Sequence, residues 1–130
     1  MAGDCILIVD DNEMNVKLLR WVLEKHGYTV HTASDAQTAR AGIRAVHPQL
    51  VLMDIQLPDV DGLQLTREFK ADPDLRSIPI VAVTSYAMKG DRQRTVDAGC
   101  DGYITKPIDT KQFPIEIQKY LRGGRGGNPA

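Results

Sequence analysis

An α/β domain built on a doubly wound parallel sheet is the fold that the sequence predicts, and three observations predict it. Five short runs rich in Ile and Val punctuate the chain, and each is followed by a stretch of helical periodicity. Three of the runs are apolar almost throughout, as strands buried on both faces of a parallel sheet must be.

The elements follow in order. CILIV (Cys5–Val9) reads as the first strand. Asn15–Lys25 then places Val16, Leu19 and Leu23 on one stripe, widened by Leu18 and Val22, and Gly27 supplies a C-terminal cap. YTVHTA (Tyr28–Ala33) alternates apolar with polar residues and so reads as an edge strand. The alanine-rich stretch Ala36–Val46 is stopped by His47-Pro48, and the apolar run LVLMD (Leu50–Asp54) follows. Leu63–Ala71 comes after Asp61-Gly62 and precedes IPIVAVT (Ile78–Thr84). Lys89-Gly90-Asp91 opens a helix that ends at Gly99, GYIT (Gly102–Thr105) is the last strand, and Thr110–Leu121 closes the domain. Parallel strands joined by helices demand right-handed crossovers, with helices on both faces. The prediction is a flavodoxin-like (βα)5 sheet of strand order 2-1-3-4-5. It spans residues 1–121 as one domain, with the glycine-rich Arg122–Ala130 as a disordered tail.

Bulk composition narrows the function. At 130 residues the chain has the size of one domain, and 42% hydrophobic with 25% charged residues suits a globular core without disulfides. A net charge of −1 gives no broad basic field, so neither nucleic acid nor an anionic membrane is an expected partner. The residues before Cys5 carry no basic region and the apolar run after them is far too short for a signal peptide, so a cytoplasmic location is expected. Cys5 and Cys100 are too far apart in sequence for a zinc knuckle or a redox pair and read as small, partly buried thiols.

In an open α/β sheet the ligand site lies beyond the carboxyl ends of the strands, at the switch point, here between the first and third. Asp10 and Asp11 follow the first strand, Asp54 ends the third, Thr84 the fourth, and Lys106 follows the fifth. Each has an ordinary reading by itself, with Asp54 as a helix cap or loop residue, Asp10-Asp11-Asn12 as a capping turn, Thr84 as a cap and Lys106 as a surface lysine. Together they place three carboxylates, a hydroxyl and an ammonium on one rim, although 96 positions separate Asp10 from Lys106. Carboxylates so close repel one another unless a cation lies among them. Mg2+ suits a site of few carboxylates completed by water and a phosphate. Asp54 then has the makings of a nucleophile that forms an aspartyl phosphate, with Lys106, Thr84 and the metal stabilising the transferring group.

These residues, in the segments ILIVDDNEMN, LVLMDIQLPDVDGL, IPIVAVTSYAM and AGCDGYITKPI, resemble the response-regulator receiver domains over about Cys5 to Leu121. The resemblance implies a phosphorylation-dependent switch of a two-component system or phosphorelay. It makes Asp54 the phosphoacceptor, Asp10, Asp11, Asp54 and the backbone carbonyl of Gln56 the Mg2+ ligands, and Thr84 and Lys106 the contacts of the phosphoryl group. It also implies a cis Lys106–Pro107 peptide, and a switch in which Thr84 moves toward the phosphoryl oxygen while Tyr103 turns inward. The surface of the fourth helix, fifth strand and fifth helix would then change for a downstream protein target. A histidine kinase or histidine phosphotransfer protein is the implied phosphodonor, and self-phosphorylation and dephosphorylation are the only chemistry implied. In finer pattern the chain is closest to DivK-type single-domain regulators and to the receivers of hybrid histidine kinases, so a receiver excised from a hybrid kinase is the alternative.

Trp21 lies off the main stripe of its helix and reads either as an interface anchor or as a ring packed over a helix edge. Tyr103 by itself reads equally as a static half-buried residue. Gln56 and Tyr86, each two positions after a site residue, are placed to gate the attacking water. His26, His31 and His47 show no metal-ligand spacing. A haloacid-dehalogenase-type phosphatase uses similar chemistry, but Asp54-Ile55-Gln56 lacks the second carboxylate of its DxD motif. An FMN-binding module is disfavoured by the acidic first loop, DDNE.

Overall fold

The computed structural model describes residues 4–84 and 89–123. Five strands and five helices alternate: β1 (Cys5–Val9), α1 (Glu13–Lys25), β2 (Thr29–Ala33), α2 (Ala36–Val46), β3 (Leu50–Asp54), α3 (Gly62–Ala71), β4 (Ile80–Thr84), α4 (Lys89–Ala98), β5 (Gly102–Thr105) and α5 (Phe113–Gly123). All strand pairs are parallel, in the order β2-β1-β3-β4-β5. The flavodoxin-like fold expected from sequence is therefore the fold observed, with β2 at an edge and the direction of winding reversing between β1 and β3.

Alternation along the central strands divides the core between the two faces of the sheet. Ile6, Ile8, Leu50, Leu52, Val81 and Val83 pack with Leu19, Val22 and Leu23 of α1 and with Phe113 and Ile117 of α5. Leu7, Val9, Val51, Met53 and Ile80 pack on the other side with Ala39 and Ile43 of α2 and with Leu65 and Phe69 of α3. Burying one such large side chain contributes about 1.5–3 kcal/mol. The most polar helix is α4, which among its described side chains buries Thr95 and Ala98 alone.

Element ends differ from the sequence expectation where side chains or proline intervene. The first helix begins at Glu13 and not Asn15, because extended Asn12 is the N-cap and its Oδ1 accepts the Asn15 N–H at 2.9 Å. The C-terminus of α1 closes with the Tyr28 N–H on Leu23 O, so β2 starts one residue later than expected; Gly27 takes φ +91° there. Pro79 has no N–H and Ile78 donates to Leu75, which leaves Ile80 as the first residue of β4. The Asp109 carboxylate accepts the N–H groups of Lys111 and Gln112, holding a turn that delays α5 to Phe113. That helix runs to Gly123, and the rest of the glycine-rich tail lies outside the described residues.

Candidate functional site

Strand geometry brings the acidic residues together. Asp10 directly follows β1, and its N–H continues the sheet by donating to Ala33 O of β2 at 2.9 Å. Asp54 is the last residue of β3. Since β1 and β3 are neighbours in register, Val9 opposite Met53, the two carboxylates emerge side by side. One oxygen from each of Asp10, Asp11 and Asp54 lies within 4.8 Å of the others. Asp10 is 3% and Asp54 5% exposed, whereas Asp11 faces solvent.

Lys106 enters from the far edge. Its N–H donates to Thr84 O at 2.8 Å, extending the β4–β5 pairing past the strand end, and the Lys106–Pro107 peptide is cis. Its Nζ lies 3.5 Å from Asp10 Oδ2 and 3.7 Å from Asp54 Oδ2. Thr84 ends β4 on the same rim and is 1% exposed. The five residues singled out at strand ends thus share one rim of the sheet.

The turn after Asp54 is tightly held. Gln56 N–H donates to Asp54 Oδ1 at 3.1 Å, Gln56 forms an antiparallel bridge with Asp61, and Gly62 N–H donates to Ile55 O at 2.7 Å. A Cβ on Gly62 would sit 2.2 Å from Asp54 O, so only glycine lets α3 start so close to the strand. Asp61 caps α3 through the Leu63 N–H and pairs with Arg94 of α4 at 3.4 Å.

Burial is the main cause that pushes the Asp54 carboxyl up, to about 6. The Gln56 N–H opposes that shift, the Asp10 charge adds to it, and the Lys106 ammonium again opposes it. Two buried carboxylates side by side with one ammonium offer oxygen donors to a hard cation, and this donor set fits Mg2+.

Two candidate residues stand apart from the cluster. Tyr103 is half-buried in β5, opposite Ala82, and lines a cavity of about 250 Å3 with Val96, Cys100, Asp101, Gly102 and Tyr120. Trp21 is 60% exposed, roughly 13 Å along α1 from its N-cap. Its ring carries the Lys25 Nζ 4.9 Å from the centroid, a cation–π contact. Tyr86 lies outside the described residues.

Two residues that sequence reading passed over belong to the surroundings of the cluster. Asn15 donates from Nδ2 to Asp10 Oδ2. Both oxygens of Asp59 accept the Ala36 N–H at the start of α2. The Asn12-x-x-Asn15 spacing of a helix N-cap and its third residue was a usable signal for the first; the second has none, because Asp59 and Ala36 meet only in the fold.

An acidic cluster thus lies at the switch point of a five-stranded doubly wound sheet, and Lys106 reaches it from just beyond the last strand. The response regulator receiver domain model matches residues 6–118, and the chain belongs to that family, whose members are signalling switches. It is 48% identical over 117 residues to the polar-differentiation response regulator DivK of Brucella ovis, covering 89% of this chain and 94% of that one. Among solved structures it is similar to the receiver domain of the sensor histidine kinase PA1611 from Pseudomonas aeruginosa PAO1, with a magnesium ion coordinated in the active site cleft. There the TM-score is 0.84 at 33% identity, over 92% of this chain and 98% of that one. The phosphorylated cyanobacterial phytochrome response regulator RcpA gives a TM-score of 0.80 at 30% identity, covering 92% and 94%. No helix among the described residues is long and apolar enough to cross a membrane.

Proposed function

We propose that the chain is a phosphorylation switch in which Asp54 accepts a phosphoryl group from a phosphohistidine of a kinase or phosphotransfer protein. The observation that carries this is the meeting of the Asp10, Asp11 and Asp54 carboxylates, with the Lys106 ammonium 3.5 and 3.7 Å from two of them. An Asp54 oxygen attacks phosphorus in line. The new P–O bond forms as the P–N bond breaks, and the leaving imidazole nitrogen keeps the electron pair. Mg2+, held by Asp10, Asp11, Asp54 and the Gln56 carbonyl, would supply charge neutralisation at the transferring oxygens. Lys106 contributes a second positive charge and Thr84 a hydroxyl donor. The magnesium-bound PA1611 receiver and the phosphorylated RcpA support this reading by similarity.

For output we infer that Thr84 and Tyr103 change position on phosphorylation and alter the α4-β5-α5 surface for a downstream protein. Tyr103 supports this by its place, because it lines one cavity with Val96 of α4 and Tyr120 of α5, on the surface that would change. Trp21, exposed on α1 on the helix that leads away from Asp11, is the anchor assigned to a docking kinase or phosphotransfer protein. Similarity to the response regulator DivK over 89% of this chain supports a regulator of the same single-domain kind.

Incubation with acetyl phosphate and Mg2+ should add one acid-stable, base-labile phosphoryl group. Chelator should abolish the labelling, and folded Asp54→Asn should show none. Undiminished labelling of that variant would remove Asp54 from the assignment. Unchanged partner affinity in phosphorylated Tyr103→Ala would remove Tyr103 from the switch.

A further inference from the structure

Asp10 has an electrostatic problem that Lys106 alone does not solve. It is 3% exposed and shares an oxygen cluster with Asp54, which is itself 5% exposed. The cation facing both, Lys106, keeps its Nζ 3.5 Å from Asp10, well beyond the roughly 2.7–2.9 Å of a charge-assisted hydrogen bond. A carboxylate buried without direct donors is strongly disfavoured.

The direct donors come from the start of α1. Asn12 N–H donates to Asp10 Oδ1 at 2.9 Å, and Asn15 Nδ2 donates to Asp10 Oδ2. Asn15 is the third residue of α1, and its own N–H is capped by Asn12 Oδ1 at 2.9 Å. The capped turn fixes its Cα, and side chains on a helix lean toward the N-terminus, here toward Asp10. A carboxylate offers about four lone-pair sites. These two donors each take one, on different oxygens, so the carboxylate cannot turn about its axis without breaking both.

We propose that Asn15 is a positioning residue that presents the Asp10 carboxylate to the metal and keeps it from collapsing onto Lys106. The inference rests on reading Asp10 as a metal ligand. A neutral donor suits this position, because a cationic side chain there would compete with the metal. An acidic one would add a further like charge beside Asp10 and Asp54. The second donor, the Asn12 N–H, is backbone and present whatever its side chain. Among the described residues, Asn15 is therefore the side chain that donates a hydrogen bond to Asp10 and orients it. Partners that orient a metal ligand typically account for about tenfold to a hundredfold in metal affinity.

The test is Mg2+ titration by calorimetry on the whole chain, with melting followed in parallel without metal. Asn15→Leu preserves size without the donor, and Asn15→Ala, a good helix former, serves if the leucine variant does not fold. Both should bind Mg2+ at least about tenfold more weakly than the wild type, and both should still accept a phosphoryl group at saturating Mg2+. Ile117→Val, a core change in α5, controls for lost stability and should leave Mg2+ affinity unaltered. Wild-type affinity in both Asn15 variants overturns the proposal while leaving the reading of the site intact. A wild type that takes up neither Mg2+ nor a phosphoryl group overturns the two together.

Discussion

Asp59 and Ala36, 23 residues apart, are joined by the carboxylate of one and the backbone N–H of the other, with both oxygens 3.1 Å from the nitrogen. The turn that follows Asp54 is thereby fastened to the positive end of the α2 dipole, beside the Asp35 cap.

Replacing Asp59 with Ala removes that fastening. By analogy with the loss of a helix cap, stability should fall by roughly 1 kcal/mol. Asp59→Asn keeps one acceptor and should lose less. Urea unfolding of the two variants against the wild type measures both. Equal stability of all three would show that the contact contributes nothing.

Without metal, stability should depend on the charge of Asp54. Its folded carboxyl holds a proton up to about pH 6, higher than in an unfolded chain. Its contribution is therefore fully present below about pH 4 and is lost as pH rises through 6. In chelator, the wild type should lose stability relative to Asp54→Asn as pH rises from about 4 to about 6, a window set by the same shift, and change little above it. Mg2+ should restore it at the upper end and do little at the lower. Parallel pH profiles for the two proteins would contradict the assignment.

Lys106→Met removes the ammonium that faces Asp10 and Asp54. The Asp54 carboxyl should move further up, since Lys106 holds it down. Labelling by acetyl phosphate should slow by about a hundredfold, the usual loss when a charge-stabilising group is removed. Unchanged labelling kinetics would take Lys106 out of the transfer.

Gly62→Ala forces a methyl to 2.2 Å from Asp54 O. Backbone must shift, at a cost of about 1–3 kcal/mol. The shift falls on the residue that carries the proposed nucleophile, so melting temperature and Mg2+ affinity should fall together. A loss of stability alone would mean that α3 yields and the end of β3 does not.

The Cys100 thiol is pushed up to about 11, chiefly by burial. At about pH 8 it should alkylate at least about a hundredfold more slowly in the native chain than in urea, as its thiolate population requires. Mass-resolved alkylation distinguishes it from Cys5, which is raised by burial as well.

Strand ends were legible from sequence because they follow from two simple rules, continuous apolar runs and a ligand rim at the switch point. Asp10, Asp54 and Thr84 sit where those rules place them, and β3 spans Leu50–Asp54 as expected. What the rules do not carry is the loop detail. The Asp59–Ala36 contact depends on how far the turn after β3 leans toward α2, and no periodicity encodes a lean. The delayed start of α5 has a similar origin, since the Asp109 carboxylate competes with the helix for the N–H groups of Lys111 and Gln112. The first turn of α1 lay between these cases: Asn12 and Asn15 have cap spacing, but only the fold shows the Asn15 amide reaching back to Asp10.

The cluster draws on both halves of the sheet, for β1 and β5 are separated by β3 and β4. Its lysine stands 52 residues after the last of its carboxylates. A chain emerging from the ribosome presents Asp10 and Asp54 long before Lys106 exists, and the two carboxylates then have no lysine opposite them. Under the proposed function, phosphoryl transfer would therefore be slow on any molecule whose last strand has not docked, and transfer rate would double as a check on folding.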